Sequence, residues 1–342
     1  MIWHHKIFNL ILEHFIFMIL ILSKNGDATT NLVIDWLNYY SYPFMRINIS
    51  DTYNTSWCVD LSKHIIIFNQ QEIPLDKINV VWYRKFGIRW GDHLYKNGVA
   101  PSISEMLSNE YKTALDTLFY ILKDKRWLTN SDNSRLNKCK VLLKAQSIGL
   151  SVPKTYIVNS KQHISDIIKE NDKKFIFKSI YDMIMIKNGD NIYNMFTKEL
   201  TPYHISLLPD RFFPSLIQEN IDKRFEIRAF YINGHIYSAA LFSQNSNETI
   251  VDSRIVNLKK PIRYIPYLLS KDEEMKIIEL MTILNLNCGS IDLIRAKSGE
   301  LFFLEVNPVG EFGHIELTCN YGLHKIVATE LIKMDRDGII SK

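Results

Sequence analysis

The stretch SIDLIRAKSGELFFLEVNP, residues 290–308, decides the fold of this chain. Its two apolar runs, separated by a polar turn, are typical of a β-hairpin. Asp292 and Glu305 are equally far from a turn centred between Ser298 and Gly299. We therefore predict that they face each other across two strands, with Cβ atoms ~5 Å apart.

Asn307 lies two residues after Glu305, on the same face of the predicted hairpin. Facing carboxylates repel each other unless a cation or a proton lies between them. Oxygen ligands of this kind suit Mg²⁺, particularly Mg²⁺ that also holds phosphate groups. The geometry alone leaves two alternatives open: a magnesium site at Asp292, Glu305 and Asn307, or a solvated strand face with unrelated acids.

An earlier stretch, FEIRAFYINGHIYSAALF at residues 225–242, predicts a second hairpin that turns on Asn233-Gly234. Glu226 and Arg228 share one face of it, where they suit a ribose hydroxyl and a phosphate. Taken alone, an ordinary ion pair between them is the simpler interpretation.

Two lysines are candidate phosphate ligands, although lysines at such positions usually face water. Lys178 ends the apolar strand FIFK, and Lys138 opens a helical pattern. The sequence has neither GxxxxGK[ST] nor GxGxxG, which disfavours a P-loop and a Rossmann-type dinucleotide site. It also lacks GxSxG and HExxH, the motifs of common hydrolases and zinc proteases.

The composition indicates a globular chain of two or three domains. Its 342 residues carry a net charge of +4, too weak to make nucleic acid the main partner. None of the four cysteines forms a CxxC pair, which disfavours a zinc knuckle and predicts a reduced, cytoplasmic chain.

Residues 7–22 are the candidate signal or membrane segment. Two ionisable residues lie in its middle, where charge is costly in lipid, and no small-residue cleavage site follows. We expect no membrane anchor. The working fold is predicted to begin at Met18, with a buried strand and then a helix capped by Asp27 or Thr29. Residues 1–17 are interpreted as an upstream extension.

The remaining patterns predict an α/β lobe followed by α+β lobes. Strands are predicted at residues 44–49, 65–68 and 80–83, and helices at residues 104–126, 137–149 and 321–334. We assign residues 18–127 to the N-terminal α/β lobe, residues 128–215 to a central lobe and residues 216–342 to a C-terminal lobe.

A set of short motifs, weak singly but specific in order, resembles the ATP-grasp fold from about Trp127 to Leu331. The motifs are NK at 137–138, A-x-x-x-G-L-x-V-P-K-T at 145–155, FIFK at 175–178, QENI at 218–221, FEIR at 225–228, SID at 290–292 and LEVNP at 304–308. The resemblance implies an ATP-grasp fold that follows an N-terminal pre-ATP-grasp α/β lobe.

Further motifs resemble one branch, the graspetide macrocyclases or microviridin-type ATP-grasp peptide maturases, and most of all the grasp-with-spasm maturases. These motifs are WYRKFG at 82–87, WLTN at 127–130, SQ at 243–244, VDSR at 251–254 and EFGHIE at 311–316. Such enzymes phosphorylate Asp or Glu side chains of a ribosomal precursor peptide, made of a leader and an acidic core. A Thr, Ser or Lys side chain then closes an ω-ester or ω-amide ring. The resemblance also implies a homodimer.

The cofactors implied by this resemblance are ATP and Mg²⁺. The implied ATP ligands are Lys138, Lys178 and Arg228 for the phosphates, Gln218, Glu219, Asn220 and Ile221 for adenine, and Glu226 for the ribose. The implied magnesium ligands are Asp292, Glu305 and Asn307. The implied catalytic residues are Arg228 and Arg254. Of these, Arg254 would contact the acyl phosphate or the acidic core peptide.

Two departures from the family pattern limit what the resemblance implies. The segment after Lys178, SIYDMIMIKNGDN, has one glycine where many ATP-grasp enzymes have a glycine-rich phosphate lid. Ser253 stands where the microviridin enzymes tend to have an aromatic residue. Two alternatives stay open: a ligase that adds glutamate to a protein or small acid, and a non-catalytic ATP-binding module.

Overall fold

The computed structural model describes residues 17–87, 100–181, 185–188, 191–194, 196–245 and 260–340. The proposed extension, apart from residue 17, and the candidate catalytic Arg254 lie outside the described residues. The chain divides into two compact units, one up to Ser134 and again from Gly322, the other from Arg135 to Tyr321. Within the described ranges, no helix has both the length and the apolar character needed to cross a bilayer.

The first unit combines two sheets with helices. Its strands are β1 (Met18–Ser23), β2 (Phe44–Asn48), β3 (Trp57–Asp60), β4 (Ile65–Phe68), β5 (Gln71–Pro74), β6 (Ile78–Tyr83) and β7 (Arg126–Leu128). Its helices are α1 (Ala28–Tyr39), α2 (Asp51–Asn54), α3 (Pro101–Ile121) and, at the end of the chain, α9 (Leu323–Ile340). One sheet is parallel, in the order β2-β1-β6-β7, and the other is antiparallel, in the order β3-β4-β5.

The predicted strand–helix opening of this unit is confirmed. Residues 19–22 of β1 are fully buried, as a continuous apolar run in a parallel sheet predicts. Helix α1 is capped by Asp27, whose side chain accepts a hydrogen bond from the Thr30 amide. Of the two predicted caps, the structure therefore selects Asp27.

Two strands of the antiparallel sheet were not predicted. Strand β4 has the expected bounds, but β3 and β5 are four-residue segments of mixed polarity with no clear alternation. The turn between β4 and β5 places Asn69 and Gln70 at φ of 49° and 66°. Because Gln replaces the usual glycine of such a turn, the hairpin signal is absent from the sequence.

The last helix belongs to the first unit, whereas the sequence analysis placed residues 216–342 in one C-terminal lobe. Helix α9 packs against α1, β1, β6 and β7. The Tyr42 hydroxyl donates a 2.6 Å hydrogen bond to buried Asp335, and Arg126 donates one of 2.6 Å to the Met334 carbonyl. These contacts hold the last helix against the parallel sheet. No local sequence pattern predicts this long-range packing.

The second unit contains the predicted hairpins. Its strands are β8 (Thr155–Ser160), β9 (Phe175–Lys178), β10 (Met185–Asn188), β11 (Asn191–Asn194), β12 (Lys198–Glu199), β13 (Arg211–Glu219), β14 (Lys223–Ile232), β15 (His235–Phe242), β16 (Arg263–Tyr267), β17 (Cys288–Ala296) and β18 (Leu301–Asn307). Its helices are α4 (Lys138–Ser147), α5 (Lys161–Glu170), α6 (Pro202–Ser206), α7 (Lys271–Ile283) and α8 (Gly313–Cys319).

This unit contains two antiparallel sheets in addition to the β10–β11 hairpin. The smaller sheet has four strands in the order β12-β9-β13-β8, and the larger sheet has five strands in the order β16-β15-β14-β17-β18. One face of the five-stranded sheet packs against α4 and α7 to form the core. Ile227 and Ile291 lie on that face, so alternation turns Glu226, Arg228 and Asp292 to the opposite face. Helix α4 ends as predicted, with Gly149 at φ 77°.

The hairpin of β17 and β18 pairs Asp292 directly with Glu305, as predicted, but its turn and its strand register differ from those assumed. Its turn is centred on Ser298, with Gly299 at φ 93°, which in a regular ladder would pair Asp292 with Leu304. A β-bulge next to Asp292 shifts the register by one residue and restores the predicted pair.

Candidate active site

One cleft in the second unit contains almost every residue that the sequence analysis selected. The cleft and the open solvent at its mouth together occupy about 1040 Å³. Its lining includes Lys138, Lys178, Gln218, Glu219, Asn220, Ile221, Glu226, Arg228, Asp292 and Glu305. The side chains come from β9 and β13 of the smaller sheet, β14, β17 and β18 of the larger sheet, and the start of α4.

Carboxylates in the cleft carry basic partners. Arg228 Nε lies 2.5 Å from Asp292 Oδ1, and Lys138 Nζ lies 3.1 Å from Glu305 Oε2. The simpler interpretation of the sequence was an ion pair between Glu226 and Arg228; in the structure Arg228 pairs with Asp292, and Glu226 pairs with Lys223. Lys138 and Arg228 are thus already at the carboxylates where a divalent cation would bind.

Negative charge is concentrated around Asp292. Burial raises the pKa of its carboxyl to about 6; Glu305 and Glu226 add to the rise, while Arg228 and Lys178 oppose it. The carboxyl is therefore held in an environment that disfavours its ionised form. A divalent cation between Asp292 and Glu305 would relieve that repulsion, and carboxylate oxygens are ligands that Mg²⁺ accepts.

Asn307 does not join this cluster. Its side-chain oxygen accepts a 3.1 Å hydrogen bond from the Val309 amide, in a local turn, and Asn307 is not among the residues that line the cleft. In the described ranges, no group of three or more His, Cys, Asp or Glu side chains is arranged for a metal ion. Asp292 and Glu305 line the cleft as possible donors for Mg²⁺, and a third ligand from Asn307 stays a prediction.

The predicted hinge lies at the end of β13. The amides of Glu219 and Asn220 donate to the carbonyls of Lys154 and Lys174, each at 2.8 Å. The Glu219 carboxylate lies 3.5 Å from Lys173 and accepts from the Lys154 amide. The Glu219 carboxylate and both amides therefore have partners within the protein, and the adenine contacts of the hinge stay a prediction.

Apolar side chains from both sheets surround the hinge. Ile176, Ile221, Ile294 and Leu304 line the cleft beside the charged cluster. An apolar slot next to convergent charges suits a ligand with a flat base at one end and anionic groups at the other.

Sequence reasoning missed the partners of Glu226. Lys223 Nζ lies 2.5 Å from Glu226 Oε1, and the Ser243 hydroxyl donates to the same oxygen at 2.8 Å. The Lys223 side chain is 10% exposed and the residue lines the cleft. The signal was present, because Ser243 belongs to the SQ motif and Lys223 lies three residues before Glu226.

The WYRKFG motif has a structural explanation in the first unit. Trp82 and Tyr83 are buried at the end of β6. Arg84 Nε lies 3.4 Å and Lys85 Nζ 3.1 Å from the buried Asp27 carboxylate. Hydrogen bonds from Thr30 and these two cations outweigh the cost of burial and lower the pKa of Asp27. The motif therefore fastens the start of α1 to the sheet.

Comparison with known proteins agrees with this fold and site. A family model described as the RimK-like ATP-grasp domain matches residues 132–331. The chain belongs to the RimK-like ATP-grasp family. A second model, the MvdD pre-ATP grasp domain, matches residues 18–135. The predicted ATP-grasp fold with an N-terminal pre-ATP-grasp lobe is confirmed.

Solved structures of similar fold include a macrocyclase and two ATP-grasp ligases. The macrocyclase MdnC of Microcystis aeruginosa MRC, bound to precursor peptide MdnA, is 23% identical, with TM-score 0.75 over 92% of this chain and 99% of that one. A RiPP-associated ATP-grasp ligase of Chryseobacterium gregarium, with ADP and a leader and core peptide, is 23% identical, with TM-score 0.77 over 93% and 97%. PsnB, with a precursor variant, Mg and ADP, is 14% identical, with TM-score 0.72 over 92% and 98%. A comparison with curated proteins found no match.

Proposed function

We propose that this RimK-like ATP-grasp protein is a macrocyclase of the graspetide type. It activates Asp or Glu side chains of a ribosomal precursor peptide and closes ω-ester or ω-amide rings with Thr, Ser or Lys. The observation that carries the proposal is the pair Asp292 and Glu305, directly opposed in one cleft with Lys138, Lys178 and Arg228. Acidic ligands for a cation beside basic ligands for phosphates suit phosphoryl transfer.

The chemistry requires a leaving group on the peptide carboxylate. When bound, Mg²⁺·ATP supplies the phosphoryl group: a carboxylate oxygen attacks the γ-phosphorus and ADP leaves. The ring-closing hydroxyl or amine then attacks the acyl carbon, loses its proton and expels inorganic phosphate. Each ring therefore removes one water from the peptide and converts one ATP to ADP.

The residues of the cleft have separate tasks in this scheme. Asp292 and Glu305 would hold Mg²⁺, while Lys138, Lys178 and Arg228 neutralise phosphate oxygens. Ring closure is intramolecular, so alignment alone can supply up to ~7–11 kcal/mol of the barrier in favourable cases.

Substrate and cofactor are supported by what the similar structures contain. All three contain a precursor peptide or its parts, two of them also contain ADP, and PsnB contains Mg. The motifs that resemble the graspetide macrocyclases, WYRKFG and SQ among them, also favour a precursor peptide as the substrate here. Because the reaction consumes ATP, we place it in the cytoplasm. The homodimer stays a prediction, which light scattering of the purified chain would check.

A ligase that adds glutamate is the second candidate, favoured by the RimK-like match over residues 132–331. The two candidates predict opposite mass changes. A macrocyclase removes one water per ring, whereas a glutamate ligase adds one residue per turnover. A non-catalytic module predicts no change in mass.

The test incubates the purified chain, MgATP and the peptide encoded beside its gene, followed by intact mass and tandem spectra. We expect ATP-dependent losses of water, and none with Glu305→Gln. Glu279→Gln is the matched control, because Glu279 is exposed on α7, which covers the opposite face of the sheet. A mass gain, or unchanged peptide with every acidic precursor tried, would contradict the proposal.

A further inference from the structure

Three side chains form a chain of hydrogen bonds across the smaller sheet. Lys178 on β9 lies 3.3 Å from Gln218 Oε1 on β13, and Gln218 Nε2 lies 2.8 Å from Thr155 Oγ1 on β8. The Thr155 hydroxyl continues to the Pro153 carbonyl at 2.8 Å. Gln218 pairs directly with Thr155 in the strand register, so the contacts run along one face.

The chemistry of these three side chains determines which groups donate and which accept hydrogen bonds. An ammonium can only donate, so the Gln218 atom beside Lys178 must be the amide oxygen. The amide nitrogen then faces Thr155, whose hydroxyl donates to the Pro153 carbonyl and can accept from Gln218. One orientation of the amide satisfies every contact, and Gln218 is only 1% exposed, so its side chain is fixed.

One partner of Lys178 is a neutral amide. Lys138, Lys223 and Arg228 lie within 3.1 Å of carboxylates, and Lys178 Nζ lies 3.3 Å from the amide oxygen of Gln218. A neutral acceptor binds an ammonium less strongly than a carboxylate does. Gln218 thus orients Lys178 at the cleft, and this contact with a neutral amide can give way to a phosphate oxygen.

We propose that Thr155 and Gln218 are positioning residues that aim Lys178 at the phosphates of the bound nucleotide. A lysine has a flexible four-carbon side chain. Fixing its orientation before the nucleotide binds therefore reduces the conformational entropy that is lost on binding. On this account the Gln218 side chain serves the phosphate end of the site, and not the adenine end to which the sequence analysis assigned it. The inference rests on the proposed nucleotide site.

Thr155→Val tests the inference, because it is nearly isosteric and Thr155 is not among the residues that line the cleft. Valine cannot accept from Gln218, so the amide is released and Lys178 loses its fixed direction. We expect Mg²⁺·ADP affinity, measured by calorimetry on the full chain, to fall about tenfold. Adenosine, which lacks phosphates, should bind as it does to the wild type.

Two further variants separate positioning from a general structural effect. Thr155→Ser keeps the hydroxyl and should restore ADP affinity to within about twofold of the wild type. In a Lys178→Met background, Thr155→Val should cause no further loss, because the side chain that it orients is already gone. If Thr155→Val does not fold, Gln218→Leu tests the same hydrogen bonds, because Gln218 is the residue that joins Thr155 to Lys178. Its affinities for Mg²⁺·ADP and adenosine would be measured in the same way.

Several outcomes would overturn the inference. Equal losses for ADP and adenosine would show that these residues shape the base pocket, and a full further loss in the Lys178→Met background would show that they act independently of Lys178. A wild-type chain that binds no ADP would contradict both this inference and the proposed function. Normal ADP binding with no peptide modification would reject the macrocyclase proposal alone.

Discussion

Replacing Asp292 with asparagine should make the protein more stable in the absence of metal and yet nearly inactive. The pKa of Asp292 is raised from 3.8 to about 6, so ionisation of this carboxyl opposes folding. At 1.36 kcal/mol per unit, the penalty reaches about 3 kcal/mol once the group is ionised. Asparagine has nearly the same shape and no charge, so Asp292→Asn should remove the penalty.

The sign of this effect depends on pH in a defined way. For an acid with a raised pKa, folding stability falls as pH rises from the unfolded value near 3.8 through the folded value near 6. In EDTA at pH 8 we therefore expect the variant to unfold at a higher denaturant concentration than the wild type. Below about pH 4 the two should converge, because both are then neutral at this position.

The same substitution should remove most of the activity. A carboxylate that holds a catalytic cation contributes several kcal/mol. Losing about 3 to 4 kcal/mol corresponds to roughly a hundred- to a thousandfold slower ring closure, measured as peptide mass in single turnovers. Asp272→Asn is the matched control, because Asp272 is 69% exposed and pairs with Lys276 in its own helix. Lower stability in EDTA at pH 8, or activity within about threefold of the wild type, would refute the reasoning.

Three other substitutions test other parts of the account. Asp27→Asn should lower the free energy of unfolding by about 1–3 kcal/mol at pH 7. Because the pKa of Asp27 is lowered, its contribution to stability is present above about pH 4 and is lost as pH falls below that value; denaturant titrations at pH 7 and pH 3 would measure the difference, and equal losses at both would contradict it. Lys223→Met should raise the KM for ATP about tenfold but leave that for 2′,3′-dideoxy-ATP unchanged, if Glu226 holds the ribose; equal changes would exclude that role. Gly310→Ala should destabilise by about 1–3 kcal/mol in chemical denaturation, because its Cβ would lie 2.5 Å from Ser290 Cβ; wild-type stability would show that the loop yields freely.

The hairpins could be predicted because their signals are local. Alternating apolar residues and the Asn233-Gly234 turn define one hairpin, and the structure has the expected ladder. The pairing of Asp292 with Glu305 was also predicted, although the turn is centred half a residue earlier than assumed and a bulge then shifts the register by one residue. A bulge depends on packing of both strands, so counting from a turn does not reveal it.

Helix α7 shows a local signal that was overlooked. Ser270 and Glu273 form a capping box in which each side chain bonds the other's backbone amide. The spacing Ser-x-x-Glu before an apolar run predicts a helix start, and the helix covers the core face of the five-stranded sheet.

Long-range contacts could not be read from the sequence. Asp335 lies near the chain end, and its bond to Tyr42 depends on the return of the last helix to the first sheet. Strand pairing likewise brings Gln218 to Lys178 and Ser243 to Glu226. Sequence motifs identified the charged residues of the site but not which residues hold them in place.

The fate of the carboxylate oxygens tests the central claim most directly. A precursor peptide labelled with oxygen-18 in its Asp and Glu carboxyl groups would be incubated with MgATP and the wild-type chain. Because ring closure expels the carboxylate oxygen that attacked the γ-phosphorus, we predict one labelled oxygen in inorganic phosphate for every water lost from the peptide. Water loss with no label in the phosphate would show that the carboxylate is not activated by phosphorylation and would contradict the account.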